Sequence, residues 1–108
     1  MGKESILQTK ILNDIRSWDN SIATKLEKSS DIGWPDIISV VSGLPVFVET
    51  KAPKKKPDPH QILVHDRLRA SGALVFVCDS VEEWLSIRNS IYKIKSLRDS
   101  LHEHGVKC

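Results

Sequence analysis

The chain reads as an α/β protein in which a helix and three strands are followed by a helix, a fourth strand and a last helix. Three observations predict this. Apolar residues recur at helical spacing in the first eighteen residues, again over residues 59–71, and again from Trp84 onward. Two short apolar runs, Ile37-Ile38-Ser39-Val40-Val41 and Val46-Phe47-Val48, flank the turn-type residues Ser42-Gly43-Leu44-Pro45. Finally, Ala73-Leu74-Val75-Phe76-Val77-Cys78 is unbroken in its apolarity, the mark of a strand covered on both faces. A right-handed crossover through the 59–71 helix would lay this strand parallel to a strand of the hairpin. The expected sheet is therefore mixed and central, with helices on its flanks.

The elements follow in order. Leu7, Ile11, Ile15 and Trp18 share a helical face, with Lys10, Asn13, Asp14 and Ser17 elsewhere. The start of this helix has two readings. Ser5 with Gln8 forms a capping box and leaves Glu4 outside, or Gly2 caps and Glu4 sits in the first turn, where an acid suits the helix dipole. Ile22, Thr24 and Leu26 alternate, which predicts a short strand. Lys25, Lys28 and the polar Ser29-Ser30-Asp31 lead from it to Gly33. After the hairpin, Ala52-Pro53 stops the strand, because proline cannot donate to the ladder. Lys54-Lys55-Lys56-Pro57 is an extended basic loop. Asp58 as N-cap and Pro59 in the first position open a helix that stops at Ser71-Gly72. Ser80 with Glu83 makes a capping box for the last helix, carrying Trp84, Leu85, Ile87, Ile91 and Ile94. Leu97 and Leu101 prolong its periodicity toward Gly105. The expected division is a core over residues 1–93 and a C-terminal helical extension or tail over 94–108.

Composition narrows the function classes. At 108 residues, 40% apolar and 28% charged, this is one small globular domain. The net charge is only +2, so any preference for an anionic partner must come from where the cations cluster. No run approaches a membrane span, no apolar signal region opens the chain, and Ile6 breaks the myristoylation pattern. Cys78 reads as a small buried hydrophobe and Cys108 is terminal, so neither a disulfide framework nor a zinc set is expected. The expected location is a reducing cytoplasm, and no organic cofactor is expected.

The chemistry is concentrated in two segments. Asp36 closes Gly33-Trp34-Pro35-Asp36 and opens one strand, while Glu49-Thr50-Lys51 closes the next. Side chains two apart on a strand share a face, so Glu49 and Lys51 point one way and Thr50 the other. A hairpin folds the Asp36 strand back beside the Glu49 strand. Hard divalent cations such as Mg²⁺ or Mn²⁺ take carboxylate, carbonyl and water oxygens. Asp36 and Glu49 would supply two, and the Thr50 carbonyl another. Lys51 could orient a nucleophilic water or balance transition-state charge. The bland alternative is a surface pair between Glu49 and Lys51, worth at most ~1 kcal/mol.

Gly33-Trp34-Pro35-Asp36, Glu49-Thr50-Lys51, Gln61 in the following helix and an early Glu4 together resemble the VRR-NUC branch of the PD-(D/E)XK nucleases, over roughly residues 4–80. The resemblance implies a restriction-endonuclease-like αβββαβ core. It implies Asp36, Glu49, Lys51 and Gln61 as catalytic residues, and Glu4, Asp36, Glu49 and the Thr50 carbonyl around Mg²⁺ or Mn²⁺. Threonine at position 50, where many relatives carry an aliphatic residue, matters little because the carbonyl is what the family uses. It further implies a DNA endonuclease, extending to enzymes selective for flapped, branched or four-way DNA. The alternative is a nucleic-acid-binding or assembly module on the same fold. Intact Asp36, Glu49 and Lys51 tell against it.

Lys54, Lys55 and Lys56 follow directly on Lys51 and are expected to contact phosphates, as is His60. His65 is expected at the surface. Trp34 either stacks a base or anchors packing, and Trp18 and Trp84 belong to the core. Cutting two symmetry-related strands calls for two sites, so a homodimer is expected. Apolar surface on the stretch from Trp84 to Leu101 would serve it, unless that helix simply caps the sheet.

Overall fold

The computed structural model describes residues 2–27 and 33–103, without the side chains of residues 3, 102 and 103. The polar stretch at 28–31 and the last residues of the extension, 104–108, lie outside the described residues. The elements are α1 (Lys3–Arg16), β1 (Ser21–Lys25), β2 (Ile37–Val41), β3 (Leu44–Thr50), α2 (Pro59–Ala70), β4 (Leu74–Cys78) and α3 (Val81–Glu103). The strands lie in the order β1-β2-β3-β4, the first three antiparallel and β4 parallel to β3. This is the mixed α/β sheet that the sequence predicts.

The hairpin turn is tighter than expected. Leu44 and Pro45 already pair with Val41 and Val40, leaving only Ser42 and Gly43 at the corner. Both have positive φ, 50° and 82°. A two-residue loop with two left-handed residues matches the natural twist of the strands it joins.

The period of two sorts the sheet into unlike faces. Ala23, Ile37, Val41, Val46, Val48 and Cys78 face Leu7, Ile11 and Ile15 of α1 and Trp84 and Ile91 of α3, and together they form the core. Trp18 stacks on Trp84 with ring centroids 6.5 Å apart, and the Trp84 indole N–H donates to Asp14 at 2.7 Å. Cys78 is buried and unpaired, and burial pushes its thiol up to about 11. On the opposite face α2 packs on β4 and reaches the end of β3 through Gln61, and Phe47 and Val75 are buried there. Over β1 and β2 it is more open among the described residues, with Ile22 70% and Val40 40% exposed.

Three local expectations change. Gly2, not Ser5, is the N-cap of α1, so Glu4 sits in the first turn. Gln8 does not fold back to a cap because its amide is buried and finds a partner on β3; a buried amide is rarely left unpaired. At α3, Ser80 Oγ accepts from the Glu83 N–H as expected, but the Glu83 carboxylate reaches the N–H of Asp79 rather than that of Ser80. His65 is only 2% exposed, not a surface residue, since α2 presses it against the sheet. The last helix runs unbroken through residue 94. Its far end returns to the hairpin, where Asp99 accepts from Ser42 Oγ at 2.8 Å and pairs with Lys95 at 2.7 Å. Trp84 and Ile91 are spent on the core, whereas Leu97 is 63% exposed.

Candidate active site

The end of the sheet nearest α2 is built by three local devices. The first is the approach to β2. Leu26 N–H donates to the Asp36 carbonyl at 2.7 Å, which carries the β1–β2 pairing one residue further. Gly33 has φ +88°, and a Cβ there would lie 2.8 Å from the His60 carbonyl oxygen and 2.9 Å from Val64 Cγ2. Only glycine lets this segment press so closely on α2. With Pro35 buried ahead of it, Asp36 is delivered at a defined place. Ile37 pairs with Val48, so one step further along the same register Asp36 lies opposite Glu49.

The second device holds Asp36. Its Oδ2 accepts from both the Thr50 backbone N–H and the Thr50 hydroxyl, each at 2.9 Å. The hydroxyl oxygen in turn accepts from Gln8 Nε2 at 2.7 Å. One carboxylate oxygen is thus satisfied twice, and Oδ1 takes no hydrogen bond among the described residues. Gln8 was missed in the sequence because a polar residue on the stripe of Leu7, Ile11 and Ile15 has an ordinary reading as a capping partner. Its signal was position: an amide on the apolar face, one turn after Glu4.

The third device holds Glu49, only 2% exposed at the end of β3. Gln61 is the third residue of α2, and both ends of its amide are used. Oε1 accepts from the Asp58 N–H at 3.0 Å, completing a capping box with the Asp58 carboxylate, while Nε2 donates to Glu49 Oε2 at 2.9 Å. Lys51 Nζ stands 3.3 Å from the same oxygen, on the face shared with Glu49 as the strand period requires. Glu49 Oε1 is buried and has no partner among the described residues. Burial, seconded by the Asp36 charge, pushes the Glu49 carboxyl up to about 7 against the pull of Lys51 and of the Asp36 backbone N–H, which lies near it without meeting Oε1 at hydrogen-bond geometry.

These groups surround a cleft of about 440 Å³, lined by Glu4, Gln8, Asp36, Glu49, Thr50, Lys51, Lys55 and Gln61 together with Leu26, Glu27 and residues 33–35. Of the residues singled out in the sequence, Lys54, Lys56 and His60 are exposed and off its wall. No three His, Cys, Asp or Glu side chains among the described residues converge as a metal cluster, so Glu4 shares the cleft without joining Asp36 and Glu49. Two carboxylates still fit a hard cation, since Mg²⁺ is commonly bound through one or two carboxylates, with waters and substrate phosphates filling its remaining positions. The buried, unpartnered oxygen of Glu49 is the donor such an ion requires.

The fold and this arrangement place the chain in a recognisable class, and comparison with known proteins agrees. No family model matches the chain. Over 79 residues it is 35% identical to Putative nuclease p44 of Acyrthosiphon pisum secondary endosymbiont phage 1, a match covering 72% of this chain and 84% of that protein. A solved structure described as a VRR_NUC domain matches with a TM-score of 0.65 and 30% identity, over 96% of this chain and 98% of that one. A second, a VRR_NUC domain protein, gives 0.64 at 15% identity over 83% and 88%, a likeness of fold alone. The chain belongs to the VRR-NUC family.

Proposed function

We propose that this protein is a nuclease that hydrolyses phosphodiester bonds in DNA with Mg²⁺ or Mn²⁺, and that Asp36, Glu49, Lys51 and Gln61 carry the reaction. The observation that supports it most is the buried, unpartnered Oε1 of Glu49 beside Asp36. An uncompensated carboxylate oxygen is costly in a folded protein unless a cation answers it. Asp36, Glu49 and the Thr50 carbonyl would hold the ion, with Glu4, on the cleft lining but apart from them, reaching it through a water. Bound there, the ion would supply an acidified water and offset charge developing on the phosphate.

The rest falls to the chain's own groups. Thr50, steadied by Gln8, fixes the orientation of Asp36. Gln61, fixed by its capping box, holds Glu49 Oε2 and keeps Oε1 directed away from it. Lys51 is a compact cation that can orient the attacking water or meet a phosphate oxygen. Lys54, Lys55, Lys56 and His60 are proposed phosphate contacts outside the cleft or at its edge. We assign the nuclease unit to residues 1–93 and treat 94–108 as an extension of its last helix. The free thiol of Cys78 and the phage relative are consistent with work in the cytoplasm of a bacterium or phage-infected host, and no described helix is long and apolar enough to cross a membrane.

The test is cleavage of linear, flapped, branched and four-way DNA with Mg²⁺, Mn²⁺ or excess EDTA. Cutting that requires the cation, and favours one branched form, is expected. Equal cutting in EDTA would refute the metal assignment, and tight binding without cutting would favour the binding-module alternative. A homodimer is proposed for two-strand cleavage. Light scattering showing 12.2 kDa, with and without DNA, would rule it out.

A further inference from the structure

We propose that Trp34 is a stacking platform for one unpaired base of the DNA substrate next to the bond that is cut, with Arg67 receiving a phosphate of the same strand. The proposal rests on the nuclease reading and gives it a physical source of structure selectivity.

Of the three tryptophans, Trp18 and Trp84 stack on each other in the core, whereas Trp34 is 36% exposed. Its ring meets Phe47 at a steep angle, 66°, with centroids 6.0 Å apart. The backbone on both sides is pinned, by Gly33 wedged against α2 and by buried Pro35. A platform fixed in this way loses little conformational freedom when a base lands on it. Position completes the case. Trp34 lines the Asp36–Glu49 cleft and also a second cleft of about 330 Å³, shared with Val64, Leu68 and Arg67. Trp34 therefore borders both clefts. Arg69 is tied to Asp66 and to the Val75 carbonyl, but Arg67 makes no ion pair among the described residues. A strand with its scissile phosphate over the carboxylates must cross Trp34 to bring a neighbouring phosphate to Arg67.

Bases inside a duplex are already stacked on their neighbours. Only a base released at a flap, junction or frayed end can lie on the indole, and such stacking tolerates any sequence because every base has a π-face.

The experiment withholds the cation with EDTA, so that nothing is cut, and titrates the protein with a short oligothymidine, a flapped duplex and a blunt duplex. Tryptophan emission and the anisotropy of labelled DNA are read together. Because Trp18 and Trp84 are buried, quenching reports on Trp34. The single strand and the flap should quench it, the blunt duplex should not, and Trp34→Phe should remove the signal. Trp34→Ala should weaken single-strand and flap binding about tenfold and leave duplex binding unchanged, with Trp34→Phe restoring most of the affinity. Arg67→Gln should reduce the salt slope by about one. Binding by anisotropy with no change in emission overturns the stacking platform while leaving the nuclease reading intact. If Trp34→Ala does not fold, the wild-type emission decides alone. No binding and no cleavage of any DNA overturns both.

Discussion

Asp36 and Glu49 stand one pairing step beyond the β2–β3 ladder, yet the two sides of the sheet hold them in different ways. Asp36 is gripped from the α1 side: Gln8 fixes Thr50, and Thr50 gives Asp36 Oδ2 both of its protons. Glu49 is gripped from the α2 side: Gln61 and Lys51 meet one oxygen, while the other is buried without a hydrogen-bond partner among the described residues. One carboxylate has its orientation fixed by two hydrogen bonds to a single oxygen. The other is buried beside the Asp36 charge, where ionisation is unfavourable, which is why its carboxyl is pushed up to about 7. On the proposed reading, placing both kinds side by side leaves an ion, not the folded chain, as the completing partner.

The sharpest way to break this comparison is to neutralise each acid. Asp36→Asn and Glu49→Gln should each lower cleavage by more than about a hundredfold, beyond the loss typical of groups that merely orient a ligand, and weaken Mn²⁺ binding seen by calorimetry. Lys51→Met should abolish cleavage but keep most Mn²⁺ binding. If Glu49→Gln bound Mn²⁺ as tightly as the wild type, the division of labour drawn here would be wrong.

Next in size is a pH effect of Glu49, opposed by buried His65. Burial holds that imidazole below its ordinary value, so its own contribution is lost as pH falls. The unfolded carboxyl titrates near 4.5 and the folded one near 7, so as pH rises the unfolded chain releases its proton first. The stabilising contribution is complete below pH 4.5 and lost by about pH 7, a fall of roughly 3 kcal/mol for metal-free protein. Urea unfolding in EDTA at pH 5 and pH 8 measures it. Glu49→Gln should flatten the difference, and added Mn²⁺ should restore more stability at pH 8 than at pH 6. A Glu49→Gln variant with the same pH dependence as the wild type in EDTA would place the buried proton elsewhere.

The α1 side predicts a smaller effect with a distinctive form. Gln8→Leu and Thr50→Val should each reduce cleavage about tenfold and raise the Mn²⁺ concentration needed for half-maximal rate. Gln8 acts through Thr50, so the double variant should be little worse than either single one. Fully additive losses would mean that Gln8 serves the site by some other route.

The smallest effect is expected outside the cleft. Changing Lys54, Lys55 and Lys56 to Gln should flatten the salt dependence of DNA binding, by about one unit of log–log slope for each phosphate no longer neutralised. Lys55, the one member on the cleft wall, should account for the largest share. Stability should stay within ~0.5 kcal/mol because all three are exposed. An unchanged slope would turn the triplet away from DNA.

Much of this was readable in the chain, and the exceptions share a cause. Asp58, Pro59 and Gln61 announced the start of α2 through local hydrogen bonding, and the same position aims Gln61 at Glu49. Gln8 carried no comparable signal, since its partner Thr50 lies 42 residues away. His65 reads in sequence as a surface histidine, but α2 covers it against the sheet. The sequence leaves open whether the last helix offers apolar surface or caps the sheet; its far end meets Ser42 while Leu97 stays exposed.

Local sequence was enough to set the order of elements, the hairpin that brings Asp36 toward Glu49, the shared face of Glu49 and Lys51, and the two-sided burial of β4. Each depends on backbone period, caps and turns, which act over a few residues. Packing had to decide which carboxylate oxygens are satisfied, which helix holds which acid, and why Glu49 keeps its proton to near neutrality. Those are matters of desolvation and of contacts across the sheet, and both exist only once distant segments exclude water from the same place.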